Sequence, residues 1–63
     1  MSKQYIAIND RGDYLTKQAK SDADAVVWFN LQISEEERKE YGWELYHDNE
    51  NETPMDTDIK NYL

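Results

Sequence analysis

The stretch Ile8-Asn9-Asp10-Arg11-Gly12-Asp13-Tyr14 decides how this chain folds, because it sets a turn between two β-prone segments. Asn at the first position of a type I turn, with Gly at the fourth to take the left-handed conformation, spells a hairpin with a three-residue loop and a bulge. If Asp10 to Gly12 form that loop, Ile8 faces Tyr14 and Ile6 faces Thr16 on one surface, and Ala7 pairs with Leu15 on the other. A two-residue Arg11-Gly12 turn would set Ile8 opposite Leu15 instead. Turn chemistry leaves both registers open. The strands it joins are Lys3 to Asn9 and Tyr14 to Lys20.

Beyond the hairpin the apolar period changes. Ser21-Asp22-Ala23-Asp24 supplies an N-cap hydroxyl and two acids where the helix dipole favours negative charge. Ala23, Val27 and Leu31 then recur every four residues, with Val26 and Asn30 beside them, which predicts one apolar face. Trp28 and Phe29 flank that face and cannot both enter a single core, so one of them is expected at the surface. Ser34-Glu35-Glu36-Glu37 matches the capping box, with the Glu37 carboxylate placed to reach back to the Ser34 amide. The short helix that follows, Glu35 to Tyr41, ends at Gly42, where a left-handed C-cap is wanted.

Trp43 to Asp48 alternates Trp43, Leu45 and His47 against Glu44, Tyr46 and Asp48, a third strand with one half-buried face. The polar run Asn49 to Pro54 reads as a loop or linker. Met55, Ile59 and Tyr62 or Leu63 have helical spacing, enough for a turn or two that would be marginal in isolation. The expected class is α+β: a small single domain in the order ββααβ over residues 1–48, then an acidic linker and C-terminal tail over 49–63, docked on the domain or on a partner.

Sixty-three residues make one domain. A domain near 60 residues buries only about 60% of the surface its unfolded chain exposes, so large side chains matter. Eight aromatics, Tyr5, Tyr14, Trp28, Phe29, Tyr41, Trp43, Tyr46 and Tyr62, suffice with the aliphatic residues for one sheet-on-helix core. Cysteine is absent, which excludes disulfides, thiolate metal sites and a thiol nucleophile. The longest apolar run, Ala25 to Phe29, is far too short for a membrane span or the apolar core of a signal peptide. A soluble cytoplasmic protein without a membrane partner is the expectation.

Several short motifs have ordinary explanations. Arg11-Gly12-Asp13 spells an integrin-binding tripeptide, but the hairpin turn requires that glycine anyway. Asn51-Glu52-Thr53 fits the glycosylation pattern, yet Pro54 follows it and no export signal precedes it. Asp48, Glu50 and Glu52 imitate the start of a calcium loop, whose sixth and twelfth positions would be Thr53 and Ile59 where Gly and Glu are needed. His47 is the single histidine and is expected at a strand end; a metal site needs three or four ligands. No enzyme and no cofactor are expected, because so small a chain has little room to enclose a substrate pocket.

Charge carries more information than motif. The formal net charge is −7, which argues against nucleic acid itself as a ligand. Residues 1–20 hold Lys3, Arg11, Lys17 and Lys20 against Asp10 and Asp13, a net of +2. Residues 21–63 hold twelve acids against Arg38, Lys39 and Lys60, a net of −9. Acidity of this kind keeps small domains soluble, and it also suits a face shaped for a basic groove. Aromatics in excess of what a thin core hides favour the second use, since exposed Tyr and Trp anchor interfaces and stack on arginine.

The functional expectation is therefore a small acidic inhibitor. It would occupy the basic nucleic-acid-binding site of a partner protein, in the manner of phage and mobile-element proteins that disarm host nucleases or polymerases. Its contact residues would be Glu36, Glu37, Glu40, Glu44, Tyr46, Asp48, Glu50 and Glu52, with Trp28 and Tyr41. A non-catalytic regulatory or structural accessory subunit is the rival expectation, as a homodimer through the hairpin edge or through Trp28 and Phe29. Monomer and homodimer both remain open.

Overall fold

The turn at Asn9 fixes the hairpin register in the computed structural model, which describes residues 2–49 and 52–62. Gly12 takes φ 84°. Its amide donates to the Asn9 carbonyl and the Asn9 amide to the Asp13 carbonyl, each at 3.1 Å. Asn9 is buried, and its Oδ1 accepts from the Arg11 and Asp13 amides at 2.9 Å each. A buried amide side chain with its acceptor filled in this way stabilises the turn it sits in. Strands β1 (Lys3–Ile8) and β2 (Tyr14–Ala19) consequently pair with Ile8 opposite Tyr14, Ile6 opposite Thr16 and Ala7 opposite Leu15. The three-residue loop is the one formed.

The third strand, β3 (Glu44–His47), lies antiparallel on the other side of β1, with Ala7 opposite Leu45 and Ile8 opposite Glu44. The sheet order is β2-β1-β3 and the fold is α+β in the order ββααβ.

Helix α1 (Asp22–Gln32) begins where the Ser21 hydroxyl accepts from the Asp24 amide at 3.3 Å. Its buried residues are Ala25, Val26 and Phe29, followed by Ile33 after the helix. The face expected from Ala23, Val27 and Leu31 is not the core face: Leu31 is 83% exposed and Val27 37%. Apolar side chains occupy most of the circumference of α1, so four-residue spacing fits two faces equally. The face that wins buries Phe29, whose ring removes more area from water than any residue of the rival row except Trp28 at its flank. Of the adjacent aromatics Phe29 enters the core and Trp28 stays half-buried at its boundary.

Helix α2 (Glu35–Tyr41) starts with the Ser34 hydroxyl accepting from the Glu37 amide at 3.3 Å and ends at Gly42, φ 67°. None of its residues is buried. Arg38 holds it in place. The Arg38 Nη1 donates to the carbonyls of Asn30 at 3.1 Å and Ile33 at 2.6 Å, and the guanidinium lies 5.8 Å from the Phe29 ring centre. A cation at the end of α1 satisfies carbonyls that the helix leaves unpaired and opposes its dipole.

The core of Tyr5, Ala7, Ala19, Ala25, Val26, Phe29, Ile33 and Leu45 sits between one face of the sheet and α1. Residues 52–62 lie against it. The Met55 amide donates to the Leu45 carbonyl at 2.7 Å, and Asn30 Nδ2 donates to the Thr57 carbonyl at 3.1 Å. Met55, Ile59 and Tyr62 pack on the core, the last two in a 3-10 turn, Ile59–Tyr62, in place of an α-helical one. Among the described residues no helix is long and apolar enough to cross a membrane.

Candidate protein-interaction surface

Strand pleating separates the sheet into two faces. Tyr5, Ala7 and Leu45 point into the core, whereas Ile6 and Ile8 of β1 share the opposite face with Tyr14 and Thr16 of β2 and with Glu44 and Tyr46 of β3. On that open face Tyr46 donates its hydroxyl to Glu44 Oε2 at 2.7 Å. This hydrogen bond is the main cause holding the Tyr46 phenol above its ordinary pKa, followed by burial and then by the negative charges of Glu44 and Asp10.

Asp10 arrives there from the hairpin loop. Its amide donates to the Tyr41 carbonyl at 2.8 Å, and its carboxylate rests against Gly42 at the end of α2. Arg11, beside it, places its guanidinium 4.5 Å from the centre of the Tyr41 ring. Loop, helix end and third strand therefore bring Asp10, Glu44 and Tyr46 to one corner of the molecule, next to Glu40 and Tyr41 in the chain. The cations of α2 are directed elsewhere: Arg38 inward to α1, and Lys39 to Glu35 at 3.3 Å.

The residues expected at an interface fall into three groups. Glu36, Glu37 and Glu40 are exposed on α2, and Glu44, Tyr46 and Asp48 run along β3 and just past it, the Asp48 amide donating to the Gln4 carbonyl at 3.1 Å. Tyr41 is half-buried beneath Arg11. Glu52 is exposed at the start of the docked tail, and Glu50 lies outside the described residues. Trp28 is on the far side of α1, lining a groove of about 570 Å³ with Lys17, Ala19, Val27 and Leu31. Asp10 was not among the expected residues. No local spacing marks it, because it joins the others only through the pairing of β1 with β3.

A second polar cluster ties α1 to the sheet. Tyr5 donates its hydroxyl to Asp22 Oδ1 at 2.6 Å, and His47 Nε2 lies 3.0 Å from the same oxygen. Burial, and then the bond to Asp22, push the Tyr5 phenol up to about 12. The Tyr5 and His47 contacts in turn hold the Asp22 carboxyl below the usual carboxylate range. His47 borders a cavity of about 600 Å³ with Lys3, Gln4 and Asp48. Among the described residues no three His, Cys, Asp or Glu side chains are grouped to hold a metal ion.

Compared with models of known protein families, with curated proteins and with solved structures, the chain matches none.

Proposed function

We propose that this chain is a stoichiometric inhibitor whose acidic edge occupies the basic nucleic-acid-binding site of a partner protein, of the kind made by phages and mobile elements against host enzymes. The observation that carries the reading is the corner where the Asp10 carboxylate rests against Gly42, two residues before Glu44 and its bond to Tyr46, while both cations of α2 face other groups. Carboxylates on Glu36 and Glu40 are one helical turn apart, about 6 Å of rise, and Glu44 and Asp48, with Tyr46 between them, are about 14 Å apart along the chain. These carboxylates offer anions to lysines and arginines that otherwise hold phosphates. Tyr46 adds a face on which a guanidinium group stacks, as Arg11 does on Tyr41 within the chain. Binding of this type needs no chemistry and no cofactor, and charge complementarity gives it speed and register.

Affinity capture from the native host, with the retained proteins identified by mass, tests the reading. Wild-type chain is expected to retain a nucleic-acid-binding protein, and a variant carrying Glu36→Lys, Glu40→Lys, Glu44→Lys and Asp48→Lys is expected to lose it. Equal retention by both chains contradicts the proposal.

A further inference from the structure

The two edges of the sheet are finished differently. At β3 the tail closes the edge through the Met55 amide and Leu45 carbonyl. At β2, among the described residues, no backbone group bonds outside the ladder with β1. Antiparallel pairs alternate between bonded and non-bonded, so, counted from the Asn9 and Asp13 pair at the turn, the amides and carbonyls of Tyr14, Thr16 and Gln18 point away from β1. A free edge of this sort is a template for another strand. Beside it α1 presents Leu31, 83% exposed, and Val27, which form a groove with Trp28, Lys17 and Ala19.

We infer that a second copy of this chain fills that edge, the two β2 strands pairing antiparallel about a two-fold axis near Leu15. The charges along the strand point to this occupant. Asp13 stands at one end, with Lys17 and Lys20 toward the other. A strand polarised in this way complements its own reverse. With Leu15 opposite the partner's Leu15, Lys17 faces the partner's Asp13; with Thr16 opposite the partner's Thr16, Lys17 is diagonal to both the partner's Asp13 and the partner's Lys17, so the Leu15 register is the one that charge favours. The next register sets Lys17 against the partner's Lys17, and parallel pairing sets like charges side by side, both unfavourable.

A two-fold axis perpendicular to the sheet keeps both α1 helices on one face of a continuous six-stranded sheet. Leu31 and Val27 of each copy then face the groove of the other, an isologous contact that enlarges a core limited by the size of one chain. The acidic corners stay at the two outer ends, next to β3. This inference stands independently of the inhibitor reading.

Mass measured by light scattering across a concentration series tests it, on the full chain and on two variants. Leu31→Glu alters a side chain exposed in the single chain. Thr16→Pro removes an amide that points away from β1, a position where an edge strand tolerates proline. The native chain is expected at twice its 7.5 kDa, and both variants at the single-chain mass with native circular dichroism. A native chain that stays at the single-chain mass overturns the inference, as does a folded variant of either kind that remains a dimer.

Discussion

The Asp10 carboxylate occupies the space that a side chain at Gly42 would need. This contact locks the hairpin loop to the end of α2, and it distinguishes two glycines that share a left-handed backbone. Gly12, φ 84°, has nothing within 4 Å of an added Cβ, so Gly12→Ala is expected to cost only the conformational penalty, about 1 kcal/mol. Gly42→Ala carries the same penalty and also displaces Asp10, for a total of about 2 kcal/mol or more. Denaturant unfolding of the two variants measures the difference. Equal losses would show that Asp10 does not press on Gly42.

The rotation of α1 is tested by adjacent valines. Val26 is fully buried and Val27 is 37% exposed, so Val26→Ala is expected to lose about 2 kcal/mol and Val27→Ala less than about 1. The reverse order would restore the face of Ala23, Val27 and Leu31 to the core.

Arg38 separates stability from binding. Arg38→Ala leaves two carbonyls at the end of α1 without their charged donor and is expected to cost about 1.5–3 kcal/mol, read from chemical denaturation. Because its guanidinium is turned inward, partner capture at a temperature where the variant is folded should be unchanged.

The cluster of Tyr5 and Asp22 makes stability fall at both ends of the pH scale. Tyr5 titrates near 12 in the fold against 10.0 unfolded, so its contribution is complete below pH 10 and is lost as pH rises toward 12. Asp22 titrates below its unfolded value of 3.8, so its contribution is present above that pH and is lost as pH falls through the lower folded value. Asp22→Asn should weaken the acid limb. It should leave Tyr5 still above 10, because burial is the larger cause of that shift; the absorbance of tyrosinate on alkaline titration reports it. A Tyr5 titration that returns to 10 in Asp22→Asn would make the carboxylate the dominant cause.

Much of the fold was legible because local chemistry spoke for it. Asn9 and Gly12 specify the turn, Ser21 and Ser34 cap their helices, and Gly42 ends α2 in the conformation expected of it. The orientation of α1 was not legible. Ala23, Ala25, Val26, Val27, Trp28, Phe29 and Leu31 satisfy helical spacing on more than one face, and only packing against Tyr5, Ala7 and Leu45 selects among them. At the candidate surface, the acids of α2 and β3 could be read directly from the chain. Asp10 could not, since its place depends on which side of β1 the third strand joins, and Trp28 was grouped with the acids by composition although α1 carries it beside Lys17.

An acidic corner that occupies a basic groove competes with nucleic acid for one site. Titration of the captured partner with this chain, at about 50 and 200 mM salt and with and without duplex nucleic acid, tests it most directly. The affinity is expected to fall at least about tenfold at the higher salt, and the partner is expected not to hold chain and duplex together. Salt-independent affinity, or a stable complex of partner, duplex and chain, would contradict it.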